Sequence, residues 1–178
     1  FLFDFYNEVI AAKKEFYFFK QFRRILSAYT KFISEADALF LYRWVTFYKP
    51  NSVFVPSENF PASLALAVPS SQKSLSVSSL RHFSNQELNI IKELGVSLSE
   101  GHIAELIYLE EIDAFTKDII LIYKCVIIRK PHQNELKDNI WKELCSLKDI
   151  SISIDLFQFG ILLFDKKISK QHFVVKMR

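Results

Sequence analysis

The chain has 178 residues, half of them hydrophobic, which is enough for one domain with a substantial core. Its net charge of +3 is compatible with an anionic partner but does not require one, and no recognised nucleic-acid-binding motif argues for such a partner. No apolar run approaches the ~20 residues of a membrane span. Cys125 and Cys145 have no close Cys or His companion, so we expect reduced thiols, no metal site and a cytoplasmic protein.

Residues 1–48 are predicted to form a helical extension. Apolar residues recur at three- and four-residue steps over residues 4–31, and the aromatic run 16–19 adds more apolar surface than one helix face can bury. The aromatic residues concerned are Phe1, Phe3, Phe5, Tyr6, Phe16, Tyr17, Phe18, Phe19 and Phe22. The excess predicts a homo-oligomer or a protein partner at this helix. The alternative is that residues upstream of Phe1 cover it.

A second helix is predicted from the Ser34-Glu35-Ala36-Asp37 capping box to about Tyr48. The residues expected on its buried face are Ala36, Leu39, Phe40, Trp44 and Phe47. A strand over 52–55, a helix over 62–67 behind Pro61 and a strand over 74–79 follow. These segments predict a strand–helix–strand unit.

The remaining segments continue the alternation of strands and helices. Ser84 is predicted to cap a helix with Leu88, Ile91 and Leu94 inside and Gly95 at its end. Strands are predicted over 96–98, 103–109 and 125–128, and helices over 112–123 and 134–145. The last helix should bury Leu136, Ile140, Trp141 and Leu144, and residues 151–157 and 160–164 should form an antiparallel hairpin. This order predicts one α/β domain over 49–178 with a mostly parallel sheet.

Seven strands that end in a hairpin resemble the class I S-adenosylmethionine-dependent methyltransferases. The segments FLFDFYNEVI, FLYRWVTFYKPNSVFV, IIKELGV, NIWKEL and ISISIDLFQFGILLFDKKISKQHFVVKM resemble a bacterial subgroup of that family that is common in Bacteroidetes. The resemblance covers most of the chain and is strongest after Cys125. It implies a Rossmann-like fold with a seven-stranded, mostly parallel sheet and a C-terminal antiparallel hairpin, preceded by the helical extension.

The resemblance also marks the positions of the family's cofactor site. Active members have an acidic-Gly-x-x-x-Gly turn after the first strand, where this chain has Pro56, Ser57 and Glu58. The acid that holds the ribose hydroxyls in the family corresponds to Ser78, and the aspartate after the fourth strand corresponds to Glu110. A serine lacks the ~1.5–3 kcal/mol of a charge-assisted hydrogen bond. These substitutions predict a degenerate cofactor site.

A charge reversal follows the fifth strand. The family has an Asp-Asp pair there, whereas this chain has Arg129 and Lys130; His132 keeps the place of a histidine that members often have. Together the three residues form a small basic group that is a candidate site for a phosphate or a carboxylate.

Three hypotheses therefore stand. The first is a methyltransferase-like pseudoenzyme that binds no cofactor and acts through binding or assembly. The second is an active methyltransferase with an atypical pocket for S-adenosylmethionine. The third is a binder of a small anionic ligand. No catalytic residue is assigned.

Overall fold

The structure is a computed structural model that describes residues 2–10, 23, 25, 33–56, 59–70, 73–77, 83–101 and 104–176. Contacts within the chain divide it into two compact units, Phe1–Ile103 and Ala104–Arg178. The predicted boundary between an extension and a domain at residue 48 stays a prediction. No helix among the described residues is long and apolar enough to cross a membrane.

Two helices of the first unit, those after Ser34 and Ser84, begin at the predicted caps. Helix α1 spans Leu2–Phe5 and continues as a π-helix over Tyr6–Ile10, α2 spans Glu35–Tyr48, α3 spans Phe60–Ala67 and α4 spans Asn85–Glu93. The hydroxyl oxygens of Ser34 and Ser84 accept backbone N–H groups of the first turns of α2 and α4, as predicted. Most of the predicted N-terminal helix beyond Ile10 lies outside the described residues.

The buried face of α2 differs in part from the prediction. Phe40 and Trp44 are buried as expected, but Ala36 is exposed and Leu39 is only half-buried. The other buried residues of the helix are Asp37, Ala38, Leu41, Tyr42 and Val45. The helix is therefore covered on more than one side, and a single apolar stripe does not describe it. Phe5 packs edge-on against Trp44 with ring centroids 5.3 Å apart.

Within its described residues, the first unit contains three parallel strands. These are β1 (Ser52–Phe54), β2 (Ser74–Val77) and β3 (Ser97–Glu100), with β2 between the other two. All eight residues of α3, which follows β1, are buried. Leu88 of α4 was expected inside but is 41% exposed, whereas Ile91 of the same helix is buried. Gly95 follows the end of α4 and has a φ of 68°, in the left-handed region that favours glycine.

The second unit contains five strands and two helices within its described residues. They are β4 (Leu106–Leu109), α5 (Thr116–Ile120), β5 (Cys125–Arg129), α6 (Glu135–Ser146), β6 (Ile152–Asp155), β7 (Phe159–Leu163) and β8 (Gln171–Val174). Strands β4 and β5 are parallel neighbours, as predicted, and β6 and β7 form the predicted antiparallel hairpin. Strand β7 also pairs antiparallel with β5, and β8 adds a parallel strand beside β6. Over the described strand pairs within the two units, four are parallel and two are antiparallel, so the architecture is mixed α/β and mostly parallel.

The predicted helix over 112–123 is much shorter in the structure. Asp113 donates its backbone N–H to the Thr116 hydroxyl (2.8 Å), and its carboxylate accepts the N–H of Phe115 (3.0 Å). Such local bonds give the backbone an alternative to helical pairing, so the helix begins only at Thr116.

Candidate functional site

Two ion pairs flank strands β4 and β5. Glu105 pairs with Lys124 at the amino ends of these strands, and Glu110 pairs with Arg129 at the carboxyl ends. Both pairs join residues 19 positions apart, because the parallel register sets Leu106 opposite Cys125 and continues to both ends. Arg129 Nη1 lies 3.0 Å from Glu110 Oε1, and each side chain is only about a fifth exposed, at 19% and 22%. At the carboxyl end the carboxylate therefore holds a partly buried cation.

A buried lysine reinforces the same edge. Lys137 of α6 is 4% exposed, and its Nζ donates to the backbone oxygen of Glu110 (3.0 Å) and to Gln133 Oε1 (2.9 Å). The ammonium also pairs with Glu111 at 2.8 Å. Three oxygen acceptors satisfy the three donors of the ammonium group, which makes its burial tolerable. Lys137 thereby ties the residues that follow β4 to the start of α6.

His132 joins the connection between β5 and α6 to two aspartates. Its Nδ1 lies 2.5 Å from Asp138 Oδ1 on α6, and its Nε2 lies 2.7 Å from Asp155 Oδ2 at the end of β6. Burial lowers the pKa of His132, but the hydrogen bonds to both aspartates and their charges raise it more, so the pKa lies above its ordinary value. Hydrogen bonds from Lys142 and His132 lower the pKa of Asp138.

The IDLF-x-x-G motif of the sequence has a structural explanation. Asp155 accepts the Trp141 indole N–H (3.1 Å) through Oδ2, and it accepts the backbone N–H of Phe157 (2.9 Å) through Oδ1. The second bond secures the hairpin turn, and it holds Phe157 at a φ of 63° that is uncommon for a bulky residue. Gly160 is paired with Asp155 across the hairpin. A Cβ on Gly160 would lie 2.6 Å from the Trp141 ring, so glycine is required for the ring to pack there.

A solvent-open groove with a volume of about 360 Å³ lies beside His132, Trp141 and Asp155. Its lining residues are His132, Trp141, Lys142, Cys145, Ser146, Asp155 and His172. Burial raises the pKa of the Cys145 thiol to about 11, so the side chain is a neutral thiol at physiological pH. The described residues contain no group of three or more His, Cys, Asp or Glu side chains that could hold a metal ion.

The structure brings together four of the predicted site residues. Glu110, Arg129, Lys130 and His132 all follow or end strands β4 and β5 at the carboxyl edge of the second unit. Lys130 is exposed, whereas Arg129 and His132 already bind carboxylates of the protein. The anion-binding assignment stays a prediction.

The other predicted positions belong to the first unit. Pro56 is exposed and follows β1 closely. Ser57, Glu58 and Ser78 lie outside the described residues, so their assigned roles stay predictions.

Sequence reasoning missed three residues that bond to Glu110, His132 and Asp155. They are Lys137, Asp138 and Trp141. The prediction that α6 buries Leu136 is wrong: this side chain is 67% exposed, and the neighbouring Lys137 is buried instead. A signal for Trp141 was available in the glycine of the IDLF-x-x-G motif, since a strand glycine often marks a close approach of another group.

No protein-family model matches the chain, and no curated protein matches it in sequence. Solved structures do match. A methyltransferase from Geobacter sulfurreducens aligns at 12% identity with a TM-score of 0.59, covering 86% of this chain and 91% of that one. An O-methyltransferase from Streptomyces achromogenes in complex with S-adenosylmethionine aligns at 10% identity with a TM-score of 0.57, covering 90% and 93%. An O-methyltransferase from Bacillus cereus in complex with S-adenosylhomocysteine aligns at 9% identity with a TM-score of 0.54, covering 91% and 96%.

These similarities confirm the predicted fold class. The chain has the Rossmann-like fold of the methyltransferases, with a mostly parallel sheet and a C-terminal antiparallel hairpin. Identities of this size establish the fold alone, because one fold hosts many unrelated functions.

Proposed function

We propose that this protein is a methyltransferase-fold protein that binds no methyl donor and acts through binding or assembly. The observation that carries the proposal is the Glu110–Arg129 ion pair at the carboxyl ends of β4 and β5. Sheets of this kind bind ligands at their carboxyl ends. There, the carboxylate that the resemblance assigns to the cofactor is bound to a guanidinium instead.

Three further features support the proposal. Lys137 uses the backbone oxygen of Glu110 as an acceptor, which leaves this residue tied to α6 as well as to Arg129. Pro56, in the place of the glycine turn, has no backbone N–H to offer a ligand. His132, next along the edge, is held between Asp138 and Asp155. The described residues at the family's positions thus do not fit S-adenosylmethionine.

Isothermal titration with S-adenosylmethionine and S-adenosylhomocysteine tests the proposal. We expect no binding at or below ~100 μM, equivalent to about 5.5 kcal/mol. The Bacillus cereus O-methyltransferase, which was solved with S-adenosylhomocysteine, serves as the positive control. Micromolar affinity in the wild-type chain would overturn the proposal.

Two matched variants assign the cause. Arg129→Ala removes the cation at the carboxyl end, and Lys124→Ala removes the cation of the equivalent pair at the amino end. Binding that emerges in Arg129→Ala alone would identify the ion pair as the group that excludes the cofactor. Binding in neither variant would mean that removal of this cation alone does not restore cofactor binding, as expected if the first unit also excludes the cofactor.

An active methyltransferase with an atypical pocket is the second candidate. It is favoured by the structural match to chains solved with S-adenosylmethionine or S-adenosylhomocysteine over nine-tenths of this chain. The same titration distinguishes it from the first candidate. The bacterial subgroup and the cytoplasmic location stay predictions.

Assembly through the N-terminal aromatic segment stays part of the proposal. Phe5 is not available for it, because this side chain is fully buried against Trp44. Residues 16–19 and Phe22 lie outside the described residues. Sedimentation of the chain with and without Phe16→Ser and Phe19→Ser tests the idea, and an unchanged monomer at tens of micromolar would refute it.

A further inference from the structure

The two hydrogen bonds of His132 fix the protonation state of its ring. Both ring nitrogens lie within 2.7 Å of a carboxylate oxygen, and an ionised carboxylate only accepts hydrogen bonds. A neutral imidazole has one donor and one acceptor nitrogen. The arrangement therefore needs an imidazolium ring that donates from Nδ1 to Asp138 and from Nε2 to Asp155.

We propose that His132 is a pH-sensitive clasp that fastens the connection 130–134 to α6 and to the hairpin when doubly protonated, and that on deprotonation it releases Asp138 while keeping Asp155. This inference does not depend on the proposed function. It concerns how firmly the segment that carries Lys130 is held at the carboxyl edge of the second unit.

The two aspartates differ in how well they tolerate the loss of a histidine donor. Asp155 is 6% exposed, and its carboxylate is fixed by two donors that do not titrate, the Trp141 indole and the Phe157 backbone N–H. Asp138 is more exposed and has Lys142, one helical turn further on, as a second partner at 2.6 Å. Loss of a hydrogen-bond donor costs more free energy for a buried carboxylate than for a more exposed one. The remaining proton therefore stays on Nε2.

Deprotonation cannot leave both contacts intact. The lone pair of a neutral Nδ1 would face the Asp138 carboxylate at 2.5 Å, which is repulsive. The ring or the Asp138 side chain must then move away. The imidazole ring lies beside the Phe157 ring, with the centroids 5.8 Å apart and the planes tilted by 46°. Since the Phe157 side chain is half exposed, this side offers little resistance to movement.

Other titratable and charged groups face the same groove. Lys142 and Cys145 belong to α6, and His172 of β8 lies on the other side. The raised pKa of Cys145 keeps its thiol neutral over the range in question. His172 is bonded through Nδ1 to the Ser153 hydroxyl (2.7 Å), and it is the second histidine that an experiment must separate from His132.

Ring-nitrogen NMR of the full ¹⁵N-labelled chain from about pH 5 to about pH 9 tests the clasp. We expect both His132 nitrogens to be protonated at the acid end, a midpoint above 6.5, and the Nε2–H tautomer at the basic end. A midpoint at or below 6.5, or a neutral Nδ1–H tautomer, would overturn the proposal.

Variants make the test specific. Asp138→Asn should lower the midpoint and keep the Nε2–H tautomer, whereas Asp155→Asn should shift the neutral ring to the Nδ1–H tautomer. Because Asp155 is buried, this second variant is interpreted only if its amide spectrum remains that of a folded chain. Asp138→Asn, at a half-buried site, tests the clasp independently. His172→Asn is the control, and it should leave the His132 midpoint and tautomer unchanged. A midpoint that does not move in Asp138→Asn would contradict the clasp.

Discussion

Helices α3 and α6 each follow a strand whose carboxyl end the resemblance assigns to the cofactor, yet they are built differently. All eight residues of α3 are buried, and its described start consists of Asn59 and apolar groups. Helix α6 buries one side only, and that side carries Lys137 and Trp141 with their polar contacts. The described start of α3 therefore carries no charged side chain, whereas the second unit has charge that is already neutralised.

This difference supports the proposed function from two independent directions. After β1 the backbone disfavours cofactor binding, because Pro56 lacks an N–H where the family has a glycine turn. After β4 and β5 the side chains disfavour cofactor binding, because Glu110 and Arg129 bind each other. A single substitution in either unit would leave the other limitation in place.

The largest expected effect concerns Trp141 on the buried side of α6. Trp141→Ala removes a 2% exposed ring and should lower the free energy of unfolding by about 3–5 kcal/mol. Trp141→Phe keeps most of the ring but loses the bond to Asp155, so we expect a smaller loss of about 1–3 kcal/mol. Urea denaturation measures both. Equal losses in the two variants would contradict the role of the indole N–H.

A second prediction compares the starts of the two helices. Asn59 caps α3 by accepting the Ala62 N–H (3.0 Å), and Asn134 caps α6 by accepting the Lys137 N–H (2.9 Å). Alanine at a cap costs about 0.5–2 kcal/mol. Because Asn59 is 3% exposed and Asn134 is exposed, we expect Asn59→Ala to lie near the upper limit and Asn134→Ala near the lower one.

Denaturation of the two alanine variants in parallel decides this point. A larger loss for Asn134→Ala than for Asn59→Ala would mean that burial does not distinguish the two helix starts. Near-equal losses would weaken the comparison between the units in the same way.

Sequence reasoning found most of the fold because the strong local signals agree with the tertiary structure. The apolar run that became β5, the Ser34 and Ser84 caps and the hairpin after residue 151 all depend on neighbours in the chain. Helix α5 is shorter than predicted because Asp113 and Thr116 bond to each other, and local side-chain bonds compete with helix formation.

The hydrogen-bonded residues at the carboxyl edge of the second unit could be predicted only in part. The resemblance marks Glu110, Arg129 and His132 as site positions, and these residues do lie at one edge of the second unit. Their partners could not be named, since His132 and Asp155 are 23 positions apart and meet only through the order of β5, β7 and β6. No sequence pattern marks Lys137, because its burial depends on three oxygens that only the folded chain brings together.

The smallest predicted effect is a pH dependence of stability. The pKa of His132 is raised in the folded chain, so its stabilising contribution is complete below the unfolded value of about 6.5 and is lost as the pH rises through the folded value. The difference in free energy of unfolding between the wild type and His132→Gln should therefore shrink with rising pH. His172→Asn should retain the wild-type pH profile. A difference that grows with pH would contradict the sign.

An amide-resolved NMR titration with S-adenosylhomocysteine tests the central claim most directly, because it reports on the edge residue by residue. With Glu110 and Arg129 bound to each other, we predict no saturable shift of the amides of residues 109–112 and 128–132 up to about 1 mM ligand. Saturable shifts centred on Glu110 and Arg129, with a dissociation constant below about 100 μM, would contradict the claim that this edge no longer holds the cofactor.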